Sequence, residues 1–589
     1  MSRSGGSHHL RGVVAAVAVA GLAVGTAATA TAAPRDTSNH SKNRISVQLL
    51  SFNDYHGHIE PDAGADSQVT AGTASVTTNG AAYLATHLRK LRRGHDHSFT
   101  VAAGDLIGGS TFTSGVFQDE PAIETLNALG LDVSAVGNHE FDEGVTELLR
   151  MQNGGCHPVQ GCFLQDAQGN DITFPGADFR YLAANVVNER TGKTVLPRWW
   201  IQRLGGAKIG FIGMTLEGTG SLVSPSAVQG YDFRDEVRAG NKAARTLQRK
   251  YGVKAIVVLL HEGGFQTSGY AGCSQMSGPV LDIAQRLSTR IDAVITGHTH
   301  QPYICNIADP KGKKRLVTSA MSYGRIITEM NFKVSVKTND VIRKSMRATN
   351  NLVTRDVTPD ARVDAIVQKW VALAAGSGNR VVGSVAENIT RAVSPTGRED
   401  RGQESSLSNL IADAQKASTG AQVAFMNPGG VRADLLVNNQ VGGEAPGQIT
   451  YREAFNVQPF SNILQTFDMT GAQIDTLLEQ QWVSGRPGGR DVLRLGISDG
   501  FTYSWSQSAP FGSKVDPASI KINGVVVDPA ATYRVATNNF LADGGDSFTA
   551  FVNGAARTGG QVDLDALIDY LEARPNLAAP PAARSTATP

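Results

Sequence analysis

The chain has 589 residues, of which 41% are hydrophobic and 18% are charged, as is typical of a globular protein and not of a disordered one. Its 54 basic and 53 acidic residues nearly cancel, which disfavours a nucleic-acid polymer or an anionic membrane as the main partner. The length exceeds that of one ordinary domain, so we expect two sizeable hydrophobic cores.

The first 33 residues have the pattern of a secretory signal peptide. Arg3 and Arg11 precede an apolar run from Val13 to Val24, and a stretch of small residues follows to Ala33. The run is shorter than the ~20 apolar residues that a membrane-spanning helix needs. We therefore predict a secreted protein with no stable membrane insertion. Retention at the cell surface and the oligomeric state stay open.

The four cysteines fit an oxidising compartment, and disulfides are favoured over a zinc site. Four cysteines allow three pairings. Proximity along the chain favours the pairs Cys156–Cys162 and Cys273–Cys305.

Hydrophobic patterning divides the rest of the chain into two mixed regions. Short apolar runs alternate with helical patterns from Ile45 to about Arg347, which indicates an α/β domain. An amphipathic helix at 359–375 resembles a connector, and a second mixed region contains helices at 406–416 and 471–481. We predict a signal peptide (1–33), a first domain (44–350), a linker helix (351–377), a second domain (378–575) and a flexible tail (576–589).

Histidines and cysteines separate the two halves chemically. All 13 histidines lie at or before His300, and no cysteine follows Cys305. Metal chemistry is therefore expected in the first domain alone. Any contribution from the second domain must come from arginine, aromatic, amide and carboxylate groups.

Five segments of the first domain share one pattern, an apolar run that stops at side chains able to bind metals. The polar endings are Asn53–Gly57, Gly104–Asp105, Gly137–Asp142, His261–Gly264 and Thr296–His300. Each ending alone is typical of a packed histidine or a turn. In α/β folds, however, ligands collect beyond the carboxyl ends of strands, so five such endings indicate one shared site.

The side chains at these endings suit hard and borderline divalent cations. Asp, Asn and His without Cys favour Zn²⁺, Mn²⁺, Co²⁺ or Mg²⁺. Seven candidate ligands are too many for one tetrahedral ion, but they suffice for two ions that share a carboxylate. The sequence therefore predicts a two-metal site.

In this order, the five segments resemble the signature of the calcineurin-like metallophosphoesterases, and the second half resembles the partner domain of the 5′-nucleotidase family. The resemblance implies an α/β fold with an N-terminal four-layer αββα sandwich and a smaller C-terminal α/β substrate-binding domain, joined by a linker helix. It also implies a catalytic pair, His139 and Asp142. His139 would stabilise the transition state, and Asp142 would orient its ring.

The same resemblance implies roles for the remaining residues. One metal ion would be held by Asp54, His56, Asp105 and His300, and the other by Asp105, Asn138, His261 and His298, with Asp105 bridging them. In the second domain, the substrate-binding residues would be Arg398, Arg401, Asn427, Gly430, Arg432, Phe460, Asn462, Phe540 and Asp546. The arginines would bind phosphate, the two phenylalanines would stack on the base, Asn462 would bind the base edge and Asp546 the ribose. Pro428 stands where relatives usually have glycine, which leaves the fine substrate preference open.

These expectations describe a secreted phosphomonoesterase that hydrolyses 5′-nucleotides such as AMP by in-line attack of metal-bound hydroxide, a role in nucleotide catabolism. The alternatives with the same chemistry are cleavage of UDP-sugars or dinucleotides and cleavage of 2′,3′-cyclic nucleotides. An alternative of a different class is a non-catalytic nucleotide-binding surface protein. Small nucleotides, and no nucleic-acid polymer, are the expected partners.

Overall fold

The computed structural model describes residues 43–589, with the exception of 224–226, 396, 441 and 487–488. The predicted signal peptide lies outside the described residues. Among those that are described, no helix combines the length and the apolar character needed to cross a bilayer.

The first half of the chain forms two large β-sheets with helices on their outer faces. Its strands are β1 (Arg44–Phe52), β2 (Gln68–Ala71), β3 (Ala74–Thr77), β4 (Ser98–Ala103), β5 (Val133–Ala135), β6 (Leu164–Gln165), β7 (Asp171–Ile172), β8 (Arg180–Leu182), β9 (Val186–Asn188), β10 (Trp199–Arg203), β11 (Lys208–Thr215), β12 (Tyr231–Phe233), β13 (Ala255–His261), β14 (Ala293–Thr296), β15 (Pro302–Ala308), β16 (Lys314–Ala320), β17 (Ile326–Ser335), β18 (Asp340–Val341) and β19 (Arg347–Leu352). Its helices are α1 (Ala81–Arg92), α2 (Phe112–Gly115), α3 (Glu120–Leu129), α4 (Gly144–Asn153), α5 (Glu236–Tyr251), α6 (Pro279–Arg286) and α7 (Ala361–Gly378).

Parallel strands form the centre of both sheets. The first sheet has the order β18-β17-β1-β4-β5-β8, with β19 also paired to β17, and the second has the order β10-β11-β13-β14-β16-β15. Within them, β1, β4, β5 and β8 run parallel, as do β11, β13, β14 and β16. The carboxyl ends of these strands therefore meet at one edge of each sheet. Their burial on both faces explains the almost unbroken apolar sequence of β13.

Three apolar layers separate the sheets and helices. Leu49 and Val101 of the first sheet pack with Val257 and Ile295 of the second sheet in the central layer. Helices α1, α3 and α4 cover the outer face of the first sheet, and α5 and α6 cover that of the second. This arrangement confirms the predicted four-layer αββα sandwich.

Helix α7, the predicted linker, packs on the first domain along much of its length. Its N-cap residue Asp360 accepts hydrogen bonds from the backbone N–H groups of Arg362 and Val363, which fixes the start of the helix. The buried Trp370 donates its indole N–H to Glu124 of α3 at 2.7 Å. The connection between the domains is thus a packed element and not a free tether.

The second half of the chain forms a smaller mixed α/β domain. Its strands are β20 (Val381–Ser384), β21 (Val423–Met426), β22 (Gln448–Thr450), β23 (Ile463–Thr470), β24 (Gly496–Ile497), β25 (Phe501–Ser506), β26 (Lys521–Ile522), β27 (Val525–Val526), β28 (Thr532–Asn538), β29 (Ala555–Val562) and β30 (Ser585–Thr588). Its helices are α8 (Ser406–Thr419), α9 (Tyr451–Val457), α10 (Gly471–Glu479), α11 (Asn539–Ala542) and α12 (Asp563–Glu572). The main sheet has the order β24-β21-β28-β23-β29. Helices α8 and α10 lie where the sequence predicts them, although their last residues differ.

The final residues are ordered, in contrast to the predicted flexible tail at 576–589. Strand β30 pairs in parallel with β25. The buried Arg584 forms an ion pair with Asp413 of α8 at 2.7 Å. The polar, Ala/Pro-rich composition suggested disorder, but a buried ion pair and a strand pairing hold this segment on the second domain.

Both predicted disulfides are present. Cys156 is bonded to Cys162 in the loop after α4, and Cys273 is bonded to Cys305 of β15. No described cysteine is free.

Candidate active site

Five strand ends meet where the two sheets of the first domain come together. Asp54, Asp105 and Asn138 follow β1, β4 and β5 of the first sheet, while His261 ends β13 and His298 follows β14 of the second. Because these strands are parallel within each sheet, their polar endings converge at one edge.

One group of candidate ligands consists of Asp54, His56 and His300, whose ligand atoms lie within 4.8 Å of one another. The Nε2 atoms of His56 and His300 are 3.3 Å apart, and His300 Nε2 is 3.3 Å from Asp54 Oδ1. These three side chains therefore present a compact set of nitrogen and oxygen donors.

The second group consists of Asp105, His261 and His298. His261 Nε2 lies 2.9 Å from Asp105 Oδ2, and Asn138 Oδ1 lies 3.0 Å from His298 Nδ1. Asp105 Oδ2 is also 3.7 Å from His56 Nε2 of the first group. A single oxygen of Asp105 thus faces both groups, which is one arrangement by which a carboxylate can bridge two ions.

The donor set fits divalent cations. His56 and His261 bond through Nδ1 to the carbonyl oxygens of Gly108 and Ala103, both at 2.7 Å. These bonds hold Nε2 of each ring towards the centre, as in known metal sites. His261 Nε2 is buried and faces the carboxylate oxygen Asp105 Oδ2 at 2.9 Å. A cation would satisfy this nitrogen.

Backbone conformation is unusual at the candidate ligands. The φ angles are +50° for Asp54, +48° for His56, +51° for Asp105, +70° for His298 and +55° for His300. Side-chain-bearing residues in this left-handed region are disfavoured by of order 1–3 kcal/mol each and are concentrated at functional sites. Tight turns directly after the strands therefore aim these side chains at one point.

Burial sets the protonation of the candidate ligands. It lowers the pKa of His56, His298 and His300 well below the usual value, which keeps these imidazoles neutral, the form that binds metals. Burial raises the pKa of Asp54 to about 7. Burial also favours a higher pKa for Asp105. The positive imidazoles around this carboxylate, led by that of His261, have the larger effect and lower the pKa of Asp105.

Glu140 stabilises the backbone next to the candidate metal ligands, a role that sequence reasoning did not assign. Its carboxylate accepts hydrogen bonds from the backbone N–H groups of Asp105 at 2.9 Å, Leu106 at 2.7 Å and Gly137. These bonds tie the endings of β4 and β5 together. The available signal was its position between His139 and Asp142, the two members of the catalytic pair.

The candidate catalytic pair is formed in the structure. His139 Nδ1 lies 2.8 Å from Asp142 Oδ2, and the His139 backbone N–H donates to Asp105 Oδ1 at 2.9 Å. Burial alone would lower the pKa of His139, but the charges of Asp142 and Asp105 outweigh it and raise the pKa. The ring is thus fixed beside the candidate metal ligands and biased towards its charged form.

A cavity of about 340 Å³ adjoins the candidate metal ligands. Residues of both domains line it. From the first domain these are Asn138, His139, Asp142 and His298, and from the second domain Arg401, Asn427, Gly430, Arg432, Phe460, Asn462, Phe540 and Asp546. We call this cavity the cleft.

Several of the lining residues of the second domain contact neighbouring side chains. Arg432 Nη2 lies 3.5 Å from His56 Nε2, and the Arg432 guanidinium lies over the Phe460 ring at 5.8 Å. Asn427 Nδ2 lies 3.4 Å from Asp546 Oδ2. The Asn462 amide donates to Asp563 at 3.1 Å, which leaves its oxygen as an acceptor.

The arginines differ from the sequence expectation in one respect. Arg398 does not line the cleft but a smaller neighbouring cavity, where its guanidinium donates to Gln301 at 2.6 Å. Arg490, which sequence reasoning missed, does line the cleft, and burial lowers its pKa to about 10. No motif around Arg490 pointed to this role.

Comparisons with known proteins agree with this geometry. A family model described as "Calcineurin-like phosphoesterase" matches residues 49–302, and one described as "5′-nucleotidase, C-terminal domain" matches residues 381–553. The chain is 31% identical over 533 residues to "Endonuclease YhcR" of Bacillus subtilis (strain 168), covering 90% of this chain and 40% of that protein. It is also 31% identical over 586 residues to "Cell wall protein Lmo0130" of Listeria monocytogenes, covering 94% of this chain and 70% of that protein.

The fold is shared with solved structures. A 5′-nucleotidase precursor from Thermus thermophilus superimposes with a TM-score of 0.73 at 24% sequence identity, covering 92% of this chain and 99% of that chain. This chain therefore spans a whole chain of that structure, but less than half the length of the Bacillus relative.

Proposed function

Because the chain belongs to the 5′-nucleotidase family, with a calcineurin-like phosphoesterase domain before a 5′-nucleotidase C-terminal domain, we propose that it is a secreted enzyme that releases phosphate from 5′-nucleotides such as AMP. Membership of the family makes it a metal-dependent hydrolase of phosphoric esters. The substrate, the number of ions and the secretion are our proposal.

One observation carries the proposal: the candidate metal ligands Asn138 and His298 line the same cleft as the candidate nucleotide-binding residues other than Arg398. Its volume, about 340 Å³, lies at the small end of the range for ligand pockets and suits one nucleotide. Arg432 of the second domain lies 3.5 Å from the candidate ligand His56. A phosphate bound by this arginine would therefore sit beside the metal site.

The residues that would hold two divalent ions are Asp54, His56, His300, Asn138, His261, His298 and the bridging Asp105. When bound, such ions supply an activated water and neutralise charge on the phosphoryl group. Zn²⁺ is the first candidate for this donor set, and Mn²⁺, Co²⁺ or Mg²⁺ also suit it.

Side chains of the protein would bind the nucleotide and stabilise the transition state. Asp142 holds His139 through Nδ1, which leaves Nε2 available to stabilise the phosphoryl oxygens. Arg401 and Arg432 would bind phosphate oxygens with planar guanidinium groups. Phe460 and Phe540 line the cleft and would stack on any base, since every base has a π-face. We therefore expect broad base specificity.

The test is release of phosphate by the purified full chain from AMP, UMP, UDP-glucose and 2′,3′-cyclic AMP, with a chelator and with each metal added back. We expect AMP and UMP to be hydrolysed fastest and the chelator to abolish turnover. His139→Ala should abolish turnover, whereas His95→Ala, a change at an exposed histidine outside the cleft, should not.

Two outcomes would overturn the proposal. Faster cleavage of single- or double-stranded DNA than of AMP would assign an endonuclease activity, the activity in the name of the Bacillus relative. Nucleotide binding without turnover of any substrate, under all metals, would support a non-catalytic surface protein.

A further inference from the structure

A second and larger cavity, of about 1380 Å³, lies at the far end of the second sheet from the cleft. Lys254, directly before β13, lines this cavity, whereas His261 at the other end of β13 faces the metal site. At about 3.3 Å per strand residue, the two ends are roughly 20 Å apart. A ligand in this cavity would therefore not be the group undergoing hydrolysis.

The lining of this cavity is strongly basic. It contains eight basic and three acidic side chains, an excess of five positive charges, in a chain whose net charge is +1. The basic side chains are Lys254, Arg290, Lys311, Lys313, Lys314, Arg343, Lys344 and Arg347, and the acidic ones are Asp292, Asp309 and Asp340. We call this cavity the basic cavity.

Two of the three acidic groups are already neutralised. Arg343 bonds to Asp292 and Asp309, both at 2.8 Å, and both carboxylates are buried. Among the described residues, these are the only ion pairs that the lining side chains make. The lysines of the basic cavity therefore have no carboxylate at ion-pair distance in the part of the chain that the structure describes.

A further positive charge lies beneath the lining. Arg315 is fully buried, and its guanidinium donates to the carbonyl oxygens of Ile291, Leu287 and Ser288 at 3.0, 3.0 and 2.7 Å and to that of Ala284. Among the described residues, no carboxylate pairs with it. Like charges gathered in this way repel each other unless a counter-ion binds.

The turn between β15 and β16 carries Lys311 and Lys313 in an ordered arrangement, and Lys314 follows as the first residue of β16. Asp309 Oδ1 accepts from the backbone N–H groups of Lys311 at 2.9 Å and Lys313 at 3.1 Å, and Gly312 takes the left-handed conformation that this turn needs, with φ +74°. Lys311, Lys313 and Lys314 are all exposed. Their charges are therefore displayed on a fixed loop and not on a mobile tail.

We propose that the basic cavity binds a linear polymer of repeated phosphate groups that carries no bases, and so tethers the enzyme to it. Several separate lysines suit repeated charges, because linked contacts raise affinity beyond that of one phosphate. The lining contains no aromatic side chain on which bases could stack, and stacking is the usual means of binding single-stranded nucleic acid. A concave site also suits a chain better than the flat surface of a bilayer.

The test is fluorescence anisotropy of the full-length protein with labelled poly(glycerol phosphate), with orthophosphate, single-stranded DNA and double-stranded DNA as competitors, at low and high salt. We expect the polymer to bind, and the logarithm of its association constant to fall linearly with the logarithm of the salt concentration. The triple variant Lys311→Glu, Lys313→Glu and Lys314→Glu should bind at least tenfold more weakly, with AMP turnover and melting temperature unchanged. The matched variant Lys90→Glu, Lys242→Glu and Lys521→Glu reverses three exposed lysines outside the basic cavity and should bind like the unmodified protein.

Three results would overturn the proposal. Equal affinity of both triple variants would show that the basic cavity is not the site. Competitive inhibition of AMP hydrolysis by the polymer would place it in the cleft instead. Tighter binding of either DNA than of poly(glycerol phosphate) would identify nucleic acid as the ligand. The first and third readouts measure binding alone and do not depend on which nucleotide the enzyme hydrolyses.

Discussion

The Phe460 ring of the second domain stacks on the His139 ring of the first, with centroids 5.6 Å apart and planes inclined by 19°. Phe460 thus contacts the candidate catalytic histidine itself, in addition to lining the cleft. Among the described residues, Phe540 also lines the cleft but makes no ring contact with His139. The two phenylalanines are therefore expected to differ in what they contribute.

Replacement of these phenylalanines separates base binding from support of His139. Base stacking is worth ~1–3 kcal/mol, so Phe460→Ala and Phe540→Ala should each lower kcat/KM for AMP by about fivefold to 150-fold. With p-nitrophenyl phosphate, which has no base, Phe540→Ala should leave turnover unchanged, whereas Phe460→Ala should lower kcat because His139 loses its packing partner. Steady-state kinetics on both substrates check this. Identical behaviour of the two variants would contradict a separate role for Phe460.

The position of Asp105 between the two ligand groups makes a prediction about metal content. Its Oδ2 atom faces His261 at 2.9 Å and His56 at 3.7 Å, so Asp105→Asn should remove both ions. His300 belongs to only one of the two ligand groups, so His300→Ala should mainly remove one ion. Elemental analysis of the purified variants, reported as ions per chain, measures both effects.

Asp142→Asn provides the control for this series. Asp142 bonds to His139 at 2.8 Å and belongs to neither ligand group. The variant should keep its metal and lose about a hundredfold to ten-thousandfold in kcat, the range for a positioned acid–base group. Loss of metal in Asp142→Asn, or retention of both ions in Asp105→Asn, would show that the assignment of ligands is wrong.

Arg490 is predicted to supply the third phosphate-binding guanidinium in place of Arg398. Arg490 lines the cleft and bonds to the Thr299 carbonyl oxygen at 3.4 Å, whereas Arg398 is engaged by Gln301 at 2.6 Å. A hydrogen bond to a charged group is worth about 1.5–3 kcal/mol. Arg490→Ala should therefore raise KM for AMP and Ki for phosphate at least tenfold, and Arg398→Ala should change both by less than threefold. A larger effect of Arg398→Ala than of Arg490→Ala on KM and Ki would assign the third phosphate contact to Arg398 instead.

Local sequence patterns predicted which side chains lie together as candidate metal ligands, because each of them lies within a few residues of a strand end. An apolar run that stops at Asp105 or at His261 carries its own signal, and parallel pairing brings the ends together. The helix around Trp370 was similarly predictable from its apolar periodicity.

Features that depend on contacts between distant residues could not be predicted in this way. Arg398 is turned away from the cleft by Gln301, 97 positions earlier in the chain. Arg490 reaches the cleft from a loop without any motif. The last strand is held in place by the pairing of Arg584 with Asp413, 171 positions away. The composition of the final residues gives no information about so distant a partner.

The Arg584–Asp413 pair makes a prediction about stability. Both side chains are buried, with 7% and 9% exposure, and removal of one member of such a pair leaves an uncompensated charge that costs about 3–5 kcal/mol. Arg584→Met should destabilise the protein by that amount in urea titrations. Arg574→Met, at an exposed arginine nearby, should change stability by about 0.5 kcal/mol or less. The double variant Asp413→Leu with Arg584→Met should recover most of the loss, since no charge is then left unpaired. If Arg584→Met and Arg574→Met were equally stable, the final residues would be the flexible tail that composition suggested, and β30 would contribute nothing to the second domain.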